Sequence, residues 1–107
     1  GPANTADIFF SARRFDAAEA LRMGYVTQVH PSDLLEQETS KYVGSMAENA
    51  PLTMKAIKAA VLQSAVLEKD RDVALVSSLV DACFASEDYK EGRAAFLEKR
   101  TPIFRGV

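Results

Sequence analysis

A short stretch near the start of the chain constrains its local fold most tightly. A helix start, a helix stop and a β-prone run follow one another there. Asp16 is typical of a helix N-cap, with Glu19 three residues later as its reciprocal partner. Gly24 suits the left-handed backbone position that ends a helix. The run from Val26 to Val29 is short and rich in β-branched residues, which predicts one strand or extended segment.

The rest of the chain is divided by prolines into segments whose apolar residues recur at helical spacing. We predict a mainly all-α fold of about five helices, with a short helical stretch from Asn4 to Phe10 and one short extended segment near Val26 to Val29. The predicted starts of the later helices are Pro31, Pro51, Asp70 and the Ser86 cap.

The segment from Asp70 to Ala85 has apolar residues around more of its circumference than a surface helix needs. Two interpretations remain open: a central helix of this domain, or a helix shared with another chain.

Composition excludes several classes of function. The chain has 107 residues, with 13 Lys and Arg against 15 Asp and Glu, so it lacks the basic excess of a nucleic-acid-binding protein. No apolar stretch is long enough to cross a membrane, and no signal peptide is visible. The single cysteine, Cys83, excludes an internal disulfide and a Cys-rich zinc site, and we expect a reducing compartment.

Candidate catalytic residues are few. His30 is the only histidine and has no second ligand for a metal, so we interpret it as a loop residue. Cys83 lies in an apolar helical stripe and is expected to pack as a small hydrophobic residue. The acidic residues cluster at helix starts, where the helix dipole already explains them. We therefore expect no catalytic residue, no metal and no cofactor in this chain.

The last predicted helix has cations interleaved with aromatic residues. Lys99 and its basic neighbours lie near Phe96. This pattern suits a phosphorylated nucleotide, with the ring stacking on the base and a cation meeting the phosphate. The alternative is a solvated helix face with Phe96 packed in the core.

Four segments resemble, in the same order, the motifs of one family. Residues 12–29 resemble G-R-x-(I/F)-x-A-x-E-A-L-x-x-G-L-V-x-x-V, with Ala12 in place of the usual glycine and Tyr25 in place of leucine. The other segments are 49–58 (N-A-P-x-A-x-x-x-x-K), 84–92 (F-x-(S/T)-E-D-x-x-E-G) and 96–104 (F-x-E-K-R-x-P-x-F). Over essentially its whole length, the chain is similar to the enoyl-CoA hydratase/isomerase (crotonase) superfamily.

The resemblance implies the C-terminal helical domain of the crotonase fold. Residues 1–30 would form the junction with a preceding spiral domain, and residues 31–107 a helical oligomerisation domain that builds trimers or hexamers. The family's oxyanion hole and acid/base residues would lie before Gly1, so the chain alone would not catalyse the reaction. The expected location is the bacterial cytoplasm or the mitochondrial or peroxisomal matrix.

The resemblance also implies a substrate class. The whole protein would act on an acyl-CoA thioester, most simply by hydrating trans-2-enoyl-CoA in fatty-acid oxidation. By the motif of residues 96–104, Phe96 and Lys99 would contact the adenine and a phosphate of CoA bound to a neighbouring subunit. The alternatives are a helical interaction module without activity, and a whole protein that is an enoyl-CoA isomerase or an acyl-CoA hydrolase.

Overall fold

All residues from Gly1 to Val107 are described by a computed structural model. It contains six α-helices, one 3-10 turn and no β-strand, which confirms the all-α fold class. The elements are α1 Pro2–Ser11, α2 Ala17–Arg22, α3 Leu35–Ala47, α4 Pro51–Ser64, the 3-10 turn Glu68–Asp70, α5 Val73–Ala85 and α6 Glu87–Glu98. The count is six rather than about five because the stretch around Asn4 is a ten-residue helix in its own right.

Two predicted helix starts are wrong, and one alternative is excluded. The run from Val26 to Val29 forms no β-strand, because the chain has no second strand for it to pair with, and the alternative of a short extended segment stands. The third helix begins at Leu35 rather than Pro31, which instead accepts a turn hydrogen bond from the Leu34 N–H at 3.0 Å. The fifth begins at Val73 rather than at Asp70, which lies in the 3-10 turn.

The chain forms two compact units, Gly1–Ser40 and Lys41–Val107. Within the first unit, the Arg13 guanidinium links α1 to α2. Its Nη2 lies 2.8 Å from Asp7 Oδ2 and 2.8 Å from Glu19 Oε1. Both hydrogen bonds raise the pKa of Arg13, with the bond to Glu19 the larger cause. The arginine and glutamate of the first motif therefore have a structural role.

One of the two hydrogen bonds of the predicted α2 capping box is present. Asp16 Oδ1 accepts a hydrogen bond from the Glu19 N–H at 2.7 Å, as an N-cap should. The Glu19 side chain pairs with Arg13 instead of returning to the Asp16 backbone, so the reciprocal half of the capping box is absent. Gly24 has the expected left-handed conformation, with φ 74°.

Ala12 is also left-handed, with φ 48°, and it ends α1 by donating its N–H to the Ile8 carbonyl at 3.1 Å. The chain therefore places alanine at a conformation that favours glycine, which costs about 1 kcal/mol. Nearby, the Tyr25 ring meets Phe15 edge-on at a centroid distance of 5.7 Å. Of the two departures from the first motif, Ala12 therefore ends a helix and Tyr25 contacts another aromatic ring.

In the second unit, α4 packs against α5 and α5 contacts α6. The fully buried apolar residues of this unit are Ala56 and Ala95, and no large side chain is completely buried anywhere in the chain. The interpretation of α5 as a central helix is wrong, because none of its residues is buried. Its large side chains are substantially exposed, among them Val73 and Phe84. No helix is both long and apolar enough to cross a membrane.

Candidate functional site

The Lys41–Val107 unit contains an apolar groove of about 630 Å³. Its walls come from α4, α5, α6 and the 101–107 segment. Leu52 and Ile57 line it from α4, Val80 from α5, Phe96 from α6 and Phe104 from the last segment. A groove of this volume and composition is of the size that takes part of an organic ligand or an apolar side chain of a partner.

The direction of α6 is fixed where it leaves α5. Ser86 is the N-cap: its Oγ accepts the Tyr89 N–H at 3.0 Å and donates to the Cys83 carbonyl at 2.6 Å. This confirms the predicted cap. The Tyr89 ring meets Phe84 edge-on at a centroid distance of 5.1 Å, and the Arg93 guanidinium lies 6.0 Å from the Tyr89 centroid. An aromatic pair and one cation therefore line this part of the groove.

The 101–107 segment is held against α6 by Asp88, which is only 4 % exposed. Its Oδ1 accepts the Arg105 N–H and its Oδ2 the Gly106 N–H, both at 2.7 Å. Gly106 has φ 79°, and a Cβ there would lie 3.5 Å from Pro51. Asp88 thus has a structural role beyond the helix-start position that its sequence context indicates.

A second set of contacts between α6 and the 101–107 segment lies one turn further along the helix. The Glu91 carboxylate pairs with Arg100 through two bonds, Nη1 to Oε1 at 2.6 Å and Nη2 to Oε2 at 2.8 Å. Glu91 Oε1 also accepts the Ile103 N–H at 2.9 Å. The bonds from Arg100 and then from Ile103 lower the pKa of Glu91 from 4.5 to about 2. The pKa of Arg100 is raised by the same bond and by its bond to Glu98.

Gly92 completes this arrangement by letting an aromatic ring approach α6. A Cβ at Gly92 would lie 3.5 Å from Cε1 of Phe104. The E-D-x-x-E-G and E-K-R-x-P-x-F motifs therefore meet in space, because Asp88, Glu91 and Gly92 hold the segment that follows Arg100. We call these contacts the α6 clasp.

Lys99 ends α6 in a left-handed conformation, with φ 56° and ψ 39°. The Lys99 N–H bonds to the Phe96 carbonyl at 3.3 Å and the Arg100 N–H to the Ala95 carbonyl at 3.0 Å. These are the two bonds of a Schellman motif, in which glycine usually occupies the left-handed position. A lysine there costs about 1–2 kcal/mol. Ala12 and Lys99 are the two non-glycine residues of the chain with a positive φ.

The two predicted binding residues, Phe96 and Lys99, have different surroundings. Phe96 is 83 % exposed and lines the groove, so the interpretation of Phe96 as a core residue is wrong. Lys99 is exposed at the end of the same helix and is not part of the groove wall. The two are nevertheless joined directly by the backbone hydrogen bond that ends α6.

The other candidates lie apart from this site. His30 is half-buried in the Gly1–Ser40 unit, where its Nε2 lies 3.0 Å from Gln28 Oε1. Cys83 is half-buried in the groove wall rather than in a closed core. No group of three or more His, Cys, Asp or Glu residues is arranged to hold a metal ion.

Sequence reasoning missed the α6 clasp. The helix dipole accounts for acidic residues at helix starts, and Arg100 is one of the basic neighbours of Lys99, so neither pattern indicates these contacts. The spacing of the residues was the available signal, because Asp88, Glu91 and Gly92 share one helix face. The segment that follows α6 has backbone N–H groups that need hydrogen-bond acceptors, and the carboxylates on this face can accept them.

The whole chain is similar to proteins of one family. A family model described as enoyl-CoA hydratase/isomerase matches residues 1–107. The 2,3-dehydroadipyl-CoA hydratase of Escherichia coli is 34 % identical over 106 residues, covering 99 % of this chain and 42 % of the relative. The crotonyl-CoA hydratase of Syntrophomonas wolfei is 33 % identical over 104 residues, covering 97 % of this chain and 40 % of the relative.

Solved structures match the fold as well. A crystal structure of an enoyl-CoA hydratase from Bacillus anthracis superposes with a TM-score of 0.87 at 27 % identity, covering 97 % of this chain and 40 % of that chain. The chain thus spans about two fifths of the length of the proteins it matches.

Proposed function

This chain belongs to the enoyl-CoA hydratase/isomerase family, and from that premise we propose that it is the C-terminal helical part of an enzyme acting on acyl-CoA thioesters. The proposed reaction is hydration of trans-2-enoyl-CoA in fatty-acid oxidation. Two of the relatives described above are named as hydratases of CoA thioesters, which supports this reaction. The chain itself contributes subunit contacts and part of the CoA site, and the remaining length of the family's chains carries the catalytic groups.

The observation that carries the CoA contact is the exposed Phe96 ring on the last turn of α6, the helix that Lys99 ends. An apolar ring that is 83 % exposed gains by stacking on a planar base such as adenine. The Lys99 ammonium group, at a helix C-terminus, suits a phosphate. The backbone bond between the two residues places both of them in the turn that ends α6.

The unburied apolar surface supports a contribution to subunit contacts. Only alanines are fully buried among the apolar residues, whereas large side chains such as Phe10 (90 % exposed) and Val73 face outward. Apolar exposure on this scale marks an interaction surface. We propose that these faces are covered in a trimer or hexamer, by the rest of the subunit and by neighbouring subunits.

Steady-state kinetics of the full-length protein tests the CoA contact, with crotonyl-CoA as substrate. Lys99→Gln should raise KM about two- to fivefold, as expected for one exposed charge contact. Phe96→Ala should raise KM about fivefold or more through lost stacking. In both variants kcat should stay near the wild-type value, and Lys41→Gln on α3 is the matched control. Unchanged KM in both variants would contradict the proposed contact.

A second candidate is a helical oligomerisation module without activity, which the exposed faces of α5 favour. Light scattering on this chain tests the interaction surface: the proposal expects self-association or binding of a hydrophobic dye. A strictly monomeric chain that binds no dye would contradict it. Full-length protein that hydrates no enoyl-CoA would favour the inactive module.

The choice among family reactions needs a separate assay of the full-length protein. Hydration of trans-2-enoyl-CoA supports the proposed reaction. Conversion of a 3-enoyl-CoA without uptake of water would instead indicate an isomerase, and release of free CoA a hydrolase.

A further inference from the structure

Lys99 is free of internal ion pairs although a carboxylate is its immediate chain neighbour. The ion pairs of the chain involve Arg13, Lys90 and Arg100, and none of them involves Lys99. The carboxylate of that neighbour, Glu98, is bound by another cation.

The cation that binds Glu98 is Arg100. Its Nε lies 2.6 Å from Glu98 Oε2, while Nη1 and Nη2 bind the two oxygens of Glu91 at 2.6 and 2.8 Å. One guanidinium therefore binds Glu98, the chain neighbour of Lys99, and also Glu91, which lies about two turns earlier on α6. The planar, five-donor geometry of arginine allows this, whereas a lysine would bind one carboxylate well.

We propose that Arg100 is a positioning residue for Lys99: by binding Glu91 and Glu98, it keeps both carboxylates away from the Lys99 ammonium group, which stays available for a phosphate of CoA. The inference rests on the proposed contact between Lys99 and CoA. In addition, the contact between Lys99 and CoA depends on Arg100, which does not itself touch the substrate.

Arg100 sets the net charge of the groups around Lys99. With Arg100 present, the cluster of Glu91, Glu98, Lys99 and Arg100 is neutral, and its two negative charges are bound away from Lys99. Without the guanidinium the same cluster carries a net negative charge, and Glu98 can pair with Lys99. A phosphate then meets both competition for the cation and repulsion by the freed carboxylates.

The test measures KM and kcat for crotonyl-CoA in the full-length protein. Arg100→Gln should raise KM about two- to fivefold with kcat unchanged, as Lys99→Gln does. Adding Glu98→Gln to Arg100→Gln should return KM toward the wild-type value, and adding Glu91→Gln as well should complete the return. Melting temperatures of all variants report separately on the α6 clasp.

Rescue by the glutamine substitutions distinguishes charge competition from simple loss of structure. If Arg100 only holds the 101–107 segment, removing the glutamates leaves the segment unheld and KM stays high, which overturns the inference. Arg100→Lys provides a milder variant should Arg100→Gln fail to fold. It should raise KM less than Arg100→Gln does, and the Glu98→Gln change should again lower it.

Failure of the inference and failure of the proposed function give different results. If Lys99→Gln leaves KM unchanged, the CoA contact itself is wrong. If Lys99→Gln raises KM while Arg100→Gln leaves it unchanged in a folded protein, the contact stands and the positioning role of Arg100 is wrong.

Discussion

The Glu91 carboxylate and the Arg100 guanidinium meet in a two-point ion pair, with N–O distances of 2.6 and 2.8 Å. The same carboxylate accepts the Ile103 N–H at 2.9 Å. The pair joins the middle of α6 to the chain beyond its end. It thereby links the family's last two motifs and fixes the turn that carries Lys99.

This ion pair predicts a pH dependence of stability. The pKa of Glu91 is lowered from 4.5 to about 2, so its contribution is fully present above pH 4.5 and is lost as the pH falls toward 2. The Ile103 amide should exchange with solvent faster relative to amides of α4 over this range. Glu91→Gln should remove most of the change, whereas an equal pH dependence in that variant would show that other carboxylates cause it.

Asp88 should matter more for stability than an ordinary surface acid. Asp88→Asn replaces one of the two accepting oxygens with an NH2 group that would face an N–H donor, so the free energy of unfolding should fall by about 1–3 kcal/mol. Asp81→Asn on the exposed side of α5 is the matched control and should change it by less than about 0.5 kcal/mol. Equal effects of the two substitutions in chemical denaturation would contradict the clasp.

Gly92 allows a graded test of the contact with Phe104. Gly92→Ala should stabilise the protein by about 0.5–1 kcal/mol, because alanine favours the helix and its Cβ would lie at an ordinary contact distance of 3.5 Å. Gly92→Leu should destabilise it by about 1–3 kcal/mol through displacement of the ring. Thermal melts of the two variants should therefore move in opposite directions. A shift in the same direction for both would show that the ring does not limit the space.

Ala12 offers a substitution that should stabilise. Ala12→Gly relieves the left-handed alanine and should raise the free energy of unfolding by about 1 kcal/mol. Ala82→Gly, at an exposed position inside α5, should lower it by about 1 kcal/mol. Denaturant unfolding of the pair gives the comparison, and destabilisation by both changes would contradict the backbone assignment at Ala12.

Local signals in the sequence predicted the fold well. Ser86 and Asp16 were identifiable as caps because a short polar side chain accepts a nearby N–H without help from distant residues. Pro51 opens α4 as expected. A strand from Val26 to Val29 does not form because strand pairing needs a distant partner. The local signals at Pro31 and Asp70 were less exact, since the helices begin at Leu35 and Val73 instead.

The candidate site was predictable only in part. Phe96 and Lys99 could be named from the family motif, but not the exposure of the ring or the left-handed backbone of the lysine. The roles of Asp88 and Arg100 depend on how the 101–107 segment folds back along α6, which composition and spacing do not specify. The domain boundary near residue 30 and the oligomeric state stay predictions.

The central claim is that Lys99 is retained at a glycine-like position because it contacts CoA. Lys99→Gly in the full-length protein tests it most directly, with melting temperature and KM for crotonyl-CoA measured on the same preparation. The account predicts a higher melting temperature, from about 1 kcal/mol of relieved strain, together with a KM raised about two- to fivefold. A higher melting temperature with an unchanged KM would contradict it.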